Sequence, residues 1–265
     1  MFGKIRILAA TLCAGLAASP TVAGETFDRI MSENKIVVGV APWNGFVAKN
    51  PSTGEFEGLI VDDIRNFTEM TGIEAELVNT TWSGLIAGLQ AGKWDVIMTG
   101  MGATPERAKS VAFTDGWGYL SHVALVRTDS DAQTRSDLNA EGNRIAVVSG
   151  TSAHQFALNV LDQAEVSSFS DTGAAVLEVM QGSATAYLGD SISNTRRADE
   201  REELRLIEFA PDKTEWNSMN HAVRYSDLDL LQFLNTYIRT MQLRGWYAEL
   251  AEKWDMPGTL ASGPK

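Results

Sequence analysis

Two rhythms of apolar residues run along this chain. The first is a short unbroken run, as in Ile36-Val37-Val38-Gly39-Val40, Val96-Ile97-Met98, Val123-Ala124-Leu125-Val126 and Ile145-Ala146-Val147-Val148. Such runs mark strands buried on both faces. They predict strands over 35–40, 95–98, 123–127 and 145–148, with shorter ones over 75–78, 185–188 and 204–209. The second rhythm is helical. Ile60, Ile64 and Phe67 recur on one face until Thr71-Gly72 stops the run, and Leu85, Ile86 and Leu89 do so until Gly92. Further helices are expected from Ala153, over 171–180 and around Ser191. Toward the end, Leu231, Leu234, Ile238 and Met241 share a face, Gly245 interrupts, and a last helix carries Trp246, Leu250 and Trp254. Strands alternating with helices predict an α/β fold with mainly parallel sheets covered by helices.

Two strand-to-helix junctions carry candidate chemistry. At Thr99-Gly100-Met101-Gly102 an apolar strand ends in small residues, and Thr104-Pro105-Glu106-Arg107 follows. Thr104 is placed to cap a helix, Pro105 suits its first position, and Arg107 falls in its first turn. Free backbone N–H groups beside a guanidinium fork make a receptor for one carboxylate. A second junction of this type lies at Val147-Val148-Ser149-Gly150-Thr151-Ser152. The pair points to a small carboxylate ligand clamped between two lobes, at the C-terminal ends of the strands.

The first residues change the picture of location. Lys4 and Arg6 precede a 12-residue apolar run, Ile7–Ala18, and Ser19-Pro20-Thr21-Val22-Ala23 closes it. That is the layout of a secretory signal peptide, too short to span a bilayer. Cleavage after Ala23 removes two cations and no acid, so the charge becomes 20 − 34 = −14. This balance argues against nucleic acid or anionic lipid as the main partner. The one cysteine, Cys13, lies inside the signal, so no disulfide or thiol nucleophile is expected. Three scattered histidines and no HExxH pattern point to no metal, and no cofactor motif is found.

Four stretches in order resemble one known family. They are Gly54-Glu55-Phe56-Glu57-Gly58-Leu59-Ile60-Val61-Asp62; the set Trp82, Leu85, Leu89, Gly92, Asp95, Thr104, Glu106, Arg107 and Phe113; Gly150-Thr151; and Leu234-Asn235, Gly245-Trp246 and Lys253-Trp254. Together they resemble the polar amino acid-binding proteins of bacterial ABC importers, family 3 of the extracellular solute-binding proteins. The resemblance implies a type II periplasmic binding protein fold, two α/β lobes joined by two crossover segments around a ligand cleft. It places a signal peptide over 1–23, lobe one over 24–119 and 219–265, and lobe two over 120–218, with crossovers near 118–123 and 215–221. It implies a monomer in the periplasm that captures an amino acid and presents it to a membrane permease.

The same resemblance assigns roles. Arg107 matches the carboxylate-binding arginine, Gly102 a position whose amide meets that carboxylate, and Gly100 one whose carbonyl accepts from the ligand amino group. Ser152, beside Thr151, matches the second lobe's donor to the carboxylate. Asp190 matches the partner of the ligand ammonium, and Trp43 and Phe46 the aromatics packed over the ligand. On the residues alone, Thr151 and Asp190 also read as helix caps, and Trp43 and Phe46 as local core. The chain departs from the family at Ile60, where Asp is usual, at Gly102, where Ser or Thr is usual, and at Ala41, where cation-binding members carry an acid. Ala41 points away from lysine or arginine as ligand. Two other readings stay open: a cyclohexadienyl dehydratase-like enzyme, with Glu55, Glu57 or Asp115 as its acid, and an accessory or sensor protein of the same fold.

Overall fold

The structure, a computed structural model, describes residues 24–209 and 216–256. The expected signal segment and Glu215 lie outside them. The chain starts with α1 (Glu25–Glu33) and β1 (Lys35–Val40), then a small hairpin of β2 (Ala48–Lys49) and β3 (Phe56–Glu57). Next come α2 (Leu59–Thr71), β4 (Glu74–Asn79), α3 (Leu85–Gln90), β5 (Val96–Gly102), and the short β6 (Ala112–Phe113) and β7 (Gly118–Leu120). The middle of the chain holds β8 (His122–Arg127), α4 (Arg135–Leu138), β9 (Arg144–Val148), α5 (Ser152–Val160), β10 (Glu165–Phe169), α6 (Thr172–Met180), β11 (Ala186–Asp190), α7 (Ser191–Glu200) and β12 (Leu204–Glu208). It closes with β13 (Asn217–Val223), α8 (Leu228–Arg244) and α9 (Trp246–Lys253).

These strands form two principal sheets. The first has the order β4-β1-β5-β13-β6, with β7 paired to β13; the second has the order β10-β9-β11-β8-β12. Each sheet, with its helices, is one lobe. The parallel expectation holds within β4-β1-β5 and within β10-β9-β11. The strands entering from the crossovers, β13 and β8, run antiparallel to their neighbours. A strand arriving from the opposite lobe enters the sheet from its other end, so both sheets are mixed. The crossovers lie side by side, since Asn217 pairs with Leu120 and Ser218 with Tyr119. First-sheet pairing thus resumes at Asn217, two residues before the boundary expected at 219.

The two junctions behave differently. Thr151 caps α5 by accepting from the His154 N–H at 3.2 Å. After β5, however, the expected helix from Pro105 is only a tight 3-10 turn over Arg107–Lys109. Thr104 Oγ1 still accepts from the Arg107 N–H at 3.2 Å. The turn cannot propagate because Val111 is pulled into the core with Leu85, Leu89 and Trp94, and the chain must rejoin the sheet at β6. β13 is a further difference. Its polar start, Asn217-Ser218-Met219-Asn220, reads as a linker, yet the strand lies inside the first sheet.

The chain end returns to the first lobe. Leu230, Leu234, Ile238 and Met241 of α8 join Ile36, Val38 and Val40 in one core, with Leu230 taking the buried place expected of Leu231. A buried polar knot ties α2 to these closing helices. Tyr237 Oη donates to Asp63 Oδ1 at 2.7 Å and Trp246 Nε1 to the same oxygen at 2.9 Å. Burial outweighs these bonds and pushes the Asp63 carboxyl up to about 6.

Folded Asp63 therefore holds its proton where the unfolded chain, near 3.8, has released it. Its contribution favours folding at acid pH and declines as pH rises through about 6. Asp63→Asn keeps an acceptor for both donors and removes the titration. Relative to the parent chain, the variant should gain about 1 kcal/mol of stability between pH 5 and pH 7. Calorimetric melts at the two pH values measure the difference, and equal shifts at both would contradict the assignment.

Candidate functional site

The cleft is built from strand ends that face one another. β5 delivers Gly100 and Gly102, both buried. Gly100 has φ +64°, and a Cβ there would stand 2.7 Å from the Trp43 ring and 3.2 Å from that of Trp117. Only glycine lets the two indoles close over this strand end. Trp43 stacks on Phe46 with ring centres 3.7 Å apart, and Trp82 meets the Trp43 edge at 5.9 Å.

Arg107 projects from the turn after β5 and crosses the cleft. Its Nη1 donates to the Gly102 carbonyl at 2.8 Å and its Nη2 to the Gly150 carbonyl of the other lobe at 2.7 Å. Desolvation lowers its pKa to about 10, so it stays charged at neutral pH. No carboxylate among the described residues pairs with it, which leaves a half-buried cation with an unfilled demand for an anion.

The second lobe answers with two capped helix starts. Thr151 uses its hydroxyl locally, donating to the Val148 carbonyl at 2.7 Å while capping α5. Ser152, next along, faces the cleft, its Oγ 3.1 Å from His122 Nε2. Asp190 has two roles, because Oδ1 caps α7 through the Ser193 N–H at 2.8 Å while Oδ2 accepts from Trp43 Nε1 at 3.0 Å. Trp43 Nε1 also donates to Ser193 Oγ at 2.9 Å. An N–H donor from lobe one thus rests on the carboxylate suited to an ammonium.

His122 was absent from the sequence-based set. It begins β8, directly after the first crossover, and its Nδ1 lies 3.5 Å from Asn217 Nδ2 on the second. Burial and the Arg107 charge push its pKa down to about 4, so the ring is neutral at pH 7. An Asn217 amide N–H donated to Nδ1 would place the ring proton on Nε2, toward Ser152 Oγ. The Ser152 hydroxyl proton is then available to an anion. Tyr187 also lines the cleft, its hydroxyl pushed up to about 12 by burial. The sequence held one cue to His122, a polar residue set between a crossover and an apolar strand.

These groups enclose an inner cavity of about 50 Å³, lined by Arg107, Gly100, Gly102, Trp43, Thr151, Ser152 and Asp190 with Trp82, His122 and Tyr187. Phe46 does not line it. Fully buried, it backs Trp43 and shapes the site only through that stack. A larger cavity of about 690 Å³ opens beyond, sharing Pro42, Trp43, Trp82, Val148 and Thr172 with the inner one. Ala41 is fully buried in the lobe-one core and lines neither.

Residues 36–257 match the bacterial extracellular solute-binding proteins, family 3. The chain belongs to that family. Among its relatives, a probable histidine-binding protein of Campylobacter jejuni is 30% identical over 222 residues, 83% of this chain and 84% of the relative. A glutamine-binding protein of a Bacillus subtilis ABC transporter is 28% identical, over 87% of this chain and 84% of its own. Two solved structures superpose closely. An ancestral amino acid-binding protein, a precursor of cyclohexadienyl dehydratase, has a TM-score of 0.79 at 31% identity, covering 86% of this chain and 98% of that one. A mutant of the arginine-binding protein ArgBP of T. maritima has 0.78 at 32%, covering 87% and 99%. The fold is thus that of the type II periplasmic binding proteins, and this member of family 3 is a solute-binding protein. No helix among its described residues is long and apolar enough to cross a membrane.

The lobes meet at one backbone contact that only glycine permits. A Cβ on Gly150 (φ +80°) would stand 2.5 Å from Ser83 N and 2.6 Å from Ser83 Cα, backbone atoms that cannot swing aside. Gly150→Ala should leave each lobe folded but hold the lobes apart. Solute affinity should fall about tenfold or more, ~1.4 kcal/mol, and the ligand-induced decrease in radius of gyration by small-angle scattering should vanish. Unchanged compaction would mean that this contact does not govern closure.

Proposed function

We propose that this protein captures an α-amino acid or a close amino-carboxylate outside the cytoplasmic membrane, in the periplasm, and presents it to the permease of an ABC importer. One observation carries the reading: Arg107 and Asp190, opposite charges from opposite lobes, line the same small cavity. A zwitterion answers both. Its carboxylate replaces the Arg107 bond to the Gly150 carbonyl and gains the Ser152 hydroxyl. Its ammonium takes over Asp190 from the Trp43 indole. The zwitterion binds both lobes at once, so it favours the closed arrangement over any open one. Gly102 lies between the two groups that would hold the carboxylate, since an added Cβ would stand 3.5 Å from Ser152 Cβ and 3.6 Å from Arg107 Nη1.

The three acids considered for the enzyme reading stand away from the cleft. Glu55 and Glu57 lie on the hairpin beside α2, Glu57 accepting from Asn50 Nδ2 at 3.3 Å, and neither lines the cleft cavities. Asp115 is tied to Arg239 at 2.8 Å, outside the cleft. The named relatives are binding proteins, of histidine, glutamine and arginine among others, which supports capture without turnover.

The charged clamp is the test. Arg107→Ala should cost about 2–5 kcal/mol of amino-acid affinity by isothermal titration calorimetry. Asp190→Asn retains the cap on α7 while removing the charge, and should weaken binding in the same range. Asp190→Ala would add a stability loss of about 1 kcal/mol from the missing cap. Parent-like affinity in either Arg107→Ala or Asp190→Asn would remove that residue from the site.

A further inference from the structure

We propose that the larger cavity is a second subsite for an anionic group, so that the ligand is an amino acid whose side chain ends in a carboxylate several bonds from the head. The inference rests on the amino-acid reading above.

Space is the first argument. The inner cavity, about 50 Å³, has room for little more than the head group. Ligand sites usually span ~300–1,000 Å³, and of the two cleft cavities the outer one, about 690 Å³, falls in that range. The two share Trp43, Trp82 and Thr172, so a side chain leaving the clamp enters the outer cavity along the two indoles.

Charge is the second. In a chain of net charge −12, the outer cavity presents two cations, one from each lobe, Lys49 of the hairpin and Arg197 of α7. Lys49 Nζ stands 5.8 Å from the Phe56 ring centre, and Arg197 Nη1 donates to Asn194 Oδ1 at 3.3 Å. Neither pairs with a carboxylate among the described residues. The one carboxylate lining this cavity, Asp171, caps α6 through the Ala174 N–H at 2.9 Å and accepts from Ser170 Oγ at 3.0 Å, so the two cations outnumber it. A distal cation would meet one acid and two like charges, a net repulsion. A distal carboxylate would meet two available donors, and Asn44, Thr80 and Thr81 add polar groups to the same wall.

Calorimetric titration of the mature protein with L-norleucine, L-lysine, L-2-aminoadipate and L-2-aminopimelate separates the possibilities. The longer acids should bind about tenfold more tightly than norleucine. Lys49→Ala and Arg197→Ala, tested separately, should each reduce that acid-to-norleucine ratio, and the double variant should abolish it. A ratio near one in the parent chain, or a preference for lysine, overturns the subsite while leaving the head-group clamp standing if Arg107→Ala still abolishes norleucine binding. A ratio unmoved by both single variants and the double variant also overturns it. Failure of both long acids to bind overturns the subsite, and the head-group reading is then judged by the Arg107→Ala and Asp190→Asn variants against an amino acid that does bind.

Discussion

A guanidinium drawn partly out of water at the junction of two lobes imposes a requirement on everything near it. Arg107 meets that requirement with two carbonyls, one from its own strand end and one from Gly150 across the cleft. Neutral carbonyls are weaker partners for a cation than a carboxylate. The arrangement is therefore stable yet open to exchange, and an incoming carboxylate has a direct electrostatic advantage over the groups it displaces. Trp43 on Asp190 is the counterpart on the ammonium side. The protein's own dipoles hold the positions where a zwitterion would bring full charges.

Closure depends on how near the lobes can come. Gly150 lies against the Trp82–Ser83 backbone, and Gly100 lets Trp43 and Trp117 converge on the end of β5. Neither glycine contributes a side chain. Each removes an obstacle, so the charged clamp spans a distance its side chains can reach.

The hinge is wired to the same site. His122 and Asn217 lie on adjacent crossovers, and His122 also reaches Ser152 at the start of α5. A neutral imidazole in hydrogen-bond contact with Ser152 orients the hydroxyl beside Arg107. The ring is kept neutral by burial and by the arginine itself, so the cation proposed to receive the ligand carboxylate also sets the state of its neighbour.

Much of this was legible along the chain. Unbroken runs such as Val147-Val148 and helical spacings such as Ile60, Ile64 and Phe67 located most elements, because burial on both faces of a strand or one face of a helix leaves a periodic record. Motif order identified the family, and Thr151 and Asp190 announced themselves as caps because helix starts demand acceptors. Other features left no local trace. The seven residues of β13 look like a linker because several of their polar groups find partners far along the chain, such as Asn220 at the Thr114 carbonyl. Arg107 lies on a tight turn rather than a helix because Val111, further on, is claimed by the core. Phe46 and Trp43 are two similar aromatics a few residues apart, yet one backs the site and the other lines it. The order of residues alone was enough for most of the elements, the charges available and the family. Only tertiary structure decided which charges face one cavity, since that depends on contacts between residues far apart in the chain.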